Sequence, residues 1–429
     1  MERILINDLL KWQQDKDRKP LVLNGARQVG KTWLLKEFGK KYYENFVYIS
    51  MDLAEPEVKR FFEEYTSILG LLQSLELFFH TKIKPQKTLL MFDEIQEVPK
   101  ALTSLKYFCE NAPEYHIAVS GSLLGLFLHN GTSFPVGKVD FLTLEPMSFE
   151  EFLIASGEQK LVKTIKEKNE VILDSVLKEH LNYYLFVGGM PEVVASWLKE
   201  KNVDAVDKIQ STILTAYIND FSKHADPATS TRIRQVMESL PRQFAKRNDK
   251  FVYGLVKSGA RAREYELAIQ WLVDGGIVRK VNRVERGDKQ PLNAYKDSNA
   301  YKLYFVDIGL FRRLAGISST MIMKNNAIFN EFNGLIAEQF VLQQINSTDI
   351  FYWTGVTSEV DFVLQMEDDI IPIEVKSGEN VKAKSLRIYR ELYNPKISIR
   401  FSLKKTEFNN GLLNIPLYAI FIWKLHLLN

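Results

Sequence analysis

Gly25-Ala26-Arg27-Gln28-Val29-Gly30-Lys31-Thr32 is the stretch that decides how this chain is read. It follows a short apolar segment, Leu21-Val22-Leu23, and leads into Trp33-Leu34-Leu35-Lys36-Glu37-Phe38, which has helical spacing. The pattern GxxxxGK[ST] between a strand and a helix is what a phosphate-cradling loop requires. Gly25 and Gly30 can take positive φ, which lets main-chain N–H groups from Gly25 to Thr32 turn toward phosphate oxygens. Lys31 supplies a point charge for the β- and γ-phosphates, the Thr32 hydroxyl is a Mg²⁺ ligand, and the helix N-terminus behind them favours an anion. The prediction is a nucleoside triphosphate site on an α/β sheet.

A second segment bears on hydrolysis. Leu89-Leu90-Met91-Phe92 is an apolar run suited to a strand buried on both faces, and it ends in Asp93-Glu94. Asp93 is expected to hold Mg²⁺ through water beside Thr32, and Glu94 to orient and deprotonate the attacking water. His116-Ile117-Ala118-Val119 predicts another strand, followed by Ser120-Gly121-Ser122. Ser120 or Ser122 at that strand end can report the γ-phosphate, although Ser-Gly-Ser alone is only a turn signal.

Composition narrows the class. A chain of 429 residues has room for roughly three domains. With 46% hydrophobic and 25% charged residues it has the makings of an ordinary globular core. One cysteine, Cys109, excludes an internal disulfide and suits a reducing compartment, and its apolar helical neighbours predict a core position. Six histidines, scattered singly, do not make a zinc set. The N-terminus lacks the apolar core of a signal peptide, and the apolar stretch 415–423 is shorter than the about 20 residues that span a bilayer. A cytoplasmic protein with no membrane partner is expected.

The net charge of +3 decides nothing, but its distribution does. Segment 242–289 holds twelve Lys/Arg against six Asp/Glu, which leaves the remainder net negative. Within it, Phe251-Val252-Tyr253-Gly254-Leu255-Val256 is followed by the turn residues Lys257-Ser258-Gly259-Ala260. A helix from Ala262 comes next, then Asp274-Gly275-Gly276 and a strand from Ile277. Helix, turn, helix and strand with basic loops predict a winged helix, which can dock on DNA through phosphates or merely pack within a chain.

The C-terminal third carries a second constellation. Segment 330–345 predicts a helix containing Glu338. Glu359-Val360-Asp361-Phe362-Val363-Leu364 and Ile370-Ile371-Pro372-Ile373-Glu374-Val375-Lys376 predict two strands joined by a tight acidic turn. Such a hairpin brings Asp361 beside Glu374, and Glu374 and Lys376, two apart, share a face. Paired carboxylates repel unless one is protonated or a cation neutralises them, so Mg²⁺ or Mn²⁺ held by Glu338, Asp361 and Glu374 is expected. Lys376 then orients the nucleophilic water or stabilises a phosphate in transition. The arrangement resembles the PD-(D/E)xK, restriction-endonuclease-like core, and a surface hairpin with a Glu374–Lys376 pair is the plainer alternative.

Taken together, the chain resembles the prokaryotic AAA-type ATPases that carry a C-terminal domain of unknown function with a restriction-endonuclease-like core. The resemblance rests on the phosphate loop, Phe92-Asp93-Glu94-Ile95-Gln96, Ser120-Gly121-Ser122 and Leu144-Glu145-Pro146-Met147-Ser148-Phe149-Glu150-Glu151-Phe152. It continues through Gly188-Gly189-Met190-Pro191-Glu192, Lys302-Leu303-Tyr304-Phe305-Val306-Asp307-Ile308-Gly309-Leu310, Glu359-Val360-Asp361-Phe362 and Ile373-Glu374-Val375-Lys376-Ser377-Gly378. It implies an ATP-binding AAA-type core at 1–145, a helical lid at 146–240, a winged helix at 241–320 and a nuclease-like α/β domain at 321–429. Gly137-Lys138 stands where the family usually has Gly-Arg, and lysine lacks the bidentate geometry of guanidinium, which argues against an arginine finger there. Two function classes follow. One is an ATPase coupled to a metal-dependent nuclease acting on DNA. The other is a nucleotide-gated regulator whose nuclease-like tail only recognises DNA or a protein partner; for the chain as a whole a protein partner or a homo-oligomer is compatible with either class.

Overall fold

A computed structural model describes residues 1–121, 135, 137–167, 174–246, 248–323, 330–345, 347, 349–379 and 384–427. Ser122 lies outside these residues. The chain divides into two compact units: Met1–Glu145 with Asp274–Gly276, and Pro146–Val273 with Ile277–Asn429.

The first unit is built on a parallel sheet of five strands, β1 Leu21–Asn24, β2 Asn45–Ser50, β3 Thr88–Asp93, β4 His116–Ser120 and β5 Asp140–Thr143, in the order β2-β3-β4-β1-β5. Parallel neighbours need crossovers, and helices Lys31–Tyr42, Pro56–Glu64, Ile68–Phe79 and Pro99–Asn111 occur in them. This is why β3 and β4 are buried along their whole length and read as unbroken apolar runs. Phe92 of β3 meets Phe62 edge to face, ring centroids 5.3 Å apart, and both are fully buried. Burying one such side chain stabilises by about 1.5–3 kcal/mol. Cys109, expected in the core, is only half-buried on helix Pro99–Asn111. Strand order matters for function: β3, β4 and β1 are consecutive neighbours, so their C-terminal ends meet at one edge, where open α/β sheets bind ligands.

The opposite end of β4 carries a buried imidazole. His116 is 3% exposed, its Nδ1 lies 2.7 Å from the Tyr43 hydroxyl, and Trp12 packs against its ring. Burial, with a smaller push from the positive charge of Arg18, lowers its pKa to about 4. The unfolded chain takes up a proton near the ordinary value of 6.5, and the folded one does not until about 4. Stability is therefore lost as pH falls through that window, by up to about 3 kcal/mol. His116→Asn is expected to flatten this part of the pH profile, as measured by denaturant melts between pH 4 and 7. Equal slopes in the two proteins would rule the explanation out.

The second unit has a mixed sheet of eight strands: β6 Val278–Val284, β7 Lys296–Phe305, β8 Ile350–Thr354, β9 Glu359–Met366, β10 Asp369–Val375, β11 Ser398–Ser402, β12 Glu407–Asn409 and β13 Leu412–Pro416. Their order is β12-β13-β11-β10-β9-β8-β6-β7. Helix Ala262–Asp274 precedes the β6–β7 hairpin, as a helix followed by a wing would. However, β6 also pairs in parallel with β8, so the hairpin continues the sheet that carries the C-terminal carboxylates. Helices Asp174–Val187, Pro191–Glu200, Val203–His224 and Pro227–Ala245 account for most of the expected lid segment. No described helix is long and apolar enough to cross a membrane.

Three sequence landmarks of this unit form one joint. Ser148 and Glu151 make a reciprocal capping box that starts helix Phe149–Ala155. Met147 N–H donates to Gly189 O at 2.7 Å, and Gly189 N–H donates to Asp307 Oδ2 at 2.6 Å. Asp307 also accepts from Leu310 N–H at 2.9 Å, capping helix Ile308–Leu314, and from Gln343 Nε2 at 3.1 Å. Gly189 has to be glycine, because a Cβ there would lie 2.2 Å from Met147 O.

Candidate functional site

The phosphate loop leaves β1 at Asn24 and enters helix Lys31–Tyr42 through Gly30, whose φ of 96° is left-handed. Gly25 (φ 139°) and Gln28 (φ 65°) are also at positive φ, which folds the segment into a tight loop. A side chain at Gly25 is excluded, since a Cβ would meet Leu144 O at 2.2 Å. The Lys31 ammonium folds back on its own loop and donates to Gly25 O at 2.8 Å and Ala26 O at 2.9 Å. Phosphate oxygens are better acceptors for that ammonium than neutral carbonyls, so it is poised to exchange one for the other.

Asp93 is the hub of the site. Its Oδ2 accepts from the Thr32 hydroxyl at 2.8 Å and the Tyr48 hydroxyl at 3.2 Å, and its Oδ1 accepts from the Ser120 hydroxyl at 2.5 Å. Thr32, Asp93 and Ser120 come together because β1, β4 and β3 end level: Leu23 pairs with Ser120, and Phe92 with Val119. In this structure Ser120 therefore faces the carboxylate, not open solvent, and it is fully buried. Tyr48 was not foreseen. It sits on β2 beside β3, and only the strand order puts it within reach of Asp93.

Glu94 adopts φ 48°, ψ 47°, a left-handed conformation that costs a non-glycine residue about 1 kcal/mol or more. Its Oε2 accepts from Gln96 Nε2 at 2.5 Å, and Gln96 Oε1 is buried without a hydrogen-bond partner. Gln96 thus orients the carboxylate, a role that sequence reading missed although the residue lies two positions along. Lys138 is ion-paired to Glu110 of helix Pro99–Asn111 at 3.0 Å. That hydrogen bond raises the pKa of the ammonium and lowers that of the carboxyl.

In the second unit a cavity of about 290 Å³ is lined by Lys302, Glu338, Glu359, Asp361 and Lys376, among others. The β9–β10 hairpin pairs Phe362 with Ile373, which sets Asp361 opposite Glu374, and Asp361 Oδ2 accepts from Val375 N–H at 2.7 Å. Lys376 Nζ is 2.5 Å from Glu374 Oε1, while Glu374 Oε2 is buried without a partner. Tyr304 OH reaches Glu338 Oε2 at 3.4 Å, and Lys302 forms an ion pair with Glu359. Burial raises the pKa of Asp361 well above the carboxylate range, helped by the charges of Glu338 and Glu374. Burial likewise raises Glu338 and Glu374, opposed by Lys302 and Lys376 respectively. For both lysines burial pulls down but the surrounding carboxylates win, so each ammonium is held above its usual range.

Among the described residues no group of three or more His, Cys, Asp or Glu side chains is arranged to hold a metal ion, so nothing here supports the second Mg²⁺ or Mn²⁺ expected at Glu338, Asp361 and Glu374. Two ammonium groups lie among these carboxylates. Lys376 occupies Glu374, and Lys302, which the sequence reading did not single out, supplies a second internal counter-charge. Arg261 and Arg263, at the start of helix Ala262–Asp274, are exposed.

Residues 17–153 match the family model described as an AAA domain. Residues 178–321 and 332–420 match two families described as domains of unknown function, DUF8612 and DUF4143. The parallel five-stranded unit is accordingly an AAA-type P-loop domain. Among solved structures the chain is similar to Orc1 of Aeropyrum pernix in complex with DNA, at 15% identity over 73% of this chain and 90% of that one, TM-score 0.26. It is similar to the Holliday junction branch migration motor RuvB of Thermotoga maritima at 13% identity over 65% of this chain and 89% of that one, TM-score 0.32. For AMPPCP-bound DnaA of Aquifex aeolicus the values are 14%, 63%, 86% and 0.29. Superpositions that loose carry no functional weight. No curated protein matches the chain.

Proposed function

We propose that this chain is a Mg²⁺-dependent ATPase whose nucleotide state controls its C-terminal half. The observation that carries the reading is the Asp93 carboxylate held between the Thr32 and Ser120 hydroxyls, one residue before Glu94. A hydroxyl and a carboxylate side by side are hard oxygen donors and fit Mg²⁺, which would neutralise charge on the phosphates. Thr32 and Asp93 would hold the ion, Asp93 through water. Main-chain N–H groups from Gly25 to Thr32 take the phosphates, and Lys31 moves from its loop carbonyls onto them. Glu94, held by Gln96, orients the attacking water and takes its proton. Support for coupling comes from the chain path: Leu144 N–H donates to Asn24 O at 2.8 Å, so the segment leaving this unit is bonded to the root of the loop.

A second reading concerns the C-terminal half. Lys302, paired with Glu359, adds a counter-charge that the nuclease pattern does not call for, and this supports a recognition cavity for DNA or a protein partner. Both readings are testable on one preparation. Calorimetric titration with MgATP is expected to give saturable heat for the wild type and none for Lys31→Ala, and a silent wild type overturns the ATPase. Incubation with supercoiled plasmid in Mg²⁺ or Mn²⁺ is expected to leave it intact. Nicking that disappears in Asp361→Ala would restore the nuclease.

A further inference from the structure

Arg3 stands outside every motif of the chain, yet its side chain is buried, 6% exposed, against the phosphate loop. Its Nη1 donates to Val29 O at 2.8 Å and its Nη2 donates to Glu145 O. Its own carbonyl accepts from Ile6 N–H at the start of helix Ile6–Gln14, which anchors the backbone from which the guanidinium reaches. A buried guanidinium is costly unless satisfied, and satisfying it with two main-chain carbonyls fixes both.

The consequence lies one atom along the chain. A trans peptide is planar, so the Val29 C=O and the Gly30 N–H point in opposite directions. Holding Val29 O against Arg3 turns the Gly30 N–H away from the guanidinium, at the residue where the loop passes into helix Lys31–Tyr42. We propose that Arg3 is a positioning residue for phosphate. It presets the Gly30 N–H as a donor and, through Glu145, passes the state of the loop to the segment that leaves the nucleotide-binding unit. The other flank of the loop is tied to the same segment through Leu144 N–H and Asn24 O. A change in the loop on phosphate binding therefore has two main-chain routes to residues 144–145. The proposal rests on the phosphate-loop reading above.

The test uses the full chain with Arg3→Met, which removes both donors, and Arg3→Lys, which keeps the charge but cannot fork. MgATP and magnesium pyrophosphate are titrated calorimetrically, and amide exchange across 143–147 is followed with and without MgATP. Affinity for both ligands is expected to fall about tenfold in Arg3→Met, the scale of one charge-assisted hydrogen bond. In Arg3→Lys the melting temperature should fall less than in Arg3→Met, while the exchange response at 143–147 is lost as fully as in Arg3→Met. A merely structural role would move stability without separating these readouts. Wild-type affinity and exchange in Arg3→Lys overturn the proposal alone, even if Arg3→Met fails to fold. A wild type that binds neither pyrophosphate nor MgATP overturns the phosphate-loop reading and this proposal together.

Discussion

Glu94→Gln is expected to lower ATP turnover by about two to three orders of magnitude while leaving MgATP bound, because it removes the base and keeps the shape. Glutamine can still take a hydrogen bond from Gln96, so the left-handed backbone at φ 48° and the Asp93 cluster stay as they are. The loss therefore falls on kcat, with little change in the binding isotherm. Steady-state phosphate release alongside calorimetry separates the two. Unchanged turnover would remove Glu94 from the mechanism, and lost binding would show that the residue supports the loop and not the water. The strain at Glu94 points the same way. A non-glycine residue held in that region one position past a buried strand aims its carboxylate where an extended backbone would not.

The second large effect is structural. Asp307→Ala is expected to destabilise the second unit by about 4 kcal/mol, from the lost helix cap and the donors left unpaired in the interior. The Gly189 and Leu310 N–H groups lose their side-chain acceptor at once, and the Gln343 amide loses one of its two and keeps the Tyr184 hydroxyl. Burial is also the main influence on the Asp307 carboxyl, whose pKa is raised despite those donors. For a unit of this size the melting temperature should fall by roughly 10 °C. Asp307→Asn, which keeps one acceptor oxygen, should lose less. A melt of Asp307→Ala that overlays the wild type would dismiss the joint as a stabilising element.

These expectations show unequally what could be read in advance. The loop from Gly25 to Thr32 and the Asp93-Glu94 step were legible because their chemistry is contiguous. A strand, a turn that needs positive φ, and a helix start follow one another within a dozen residues. The hairpin that sets Asp361 opposite Glu374 was legible for the same reason, with a tight turn and alternating pattern fixing the register. The recurring segments around Gly189 and Asp307 were visible but carried no chemistry on their own. Their meaning, a hydrogen-bonded joint, emerges only when residues 118 positions apart meet.

Local order of residue types thus determined the phosphate site and its acidic partner, since main-chain conformation and side-chain spacing there depend on near neighbours. Tertiary structure decided what each group faces. Ser120 and Tyr48 reach Asp93 because of strand order, Lys302 joins the carboxylates from 57 residues away, and Arg3 reaches Glu145 across 142. Charge balance in a buried cluster is a sum over all groups within a few ångströms, whatever their distance along the chain. That is why the pattern of carboxylates alone suggested a metal, while the fold also places two ammonium groups among them.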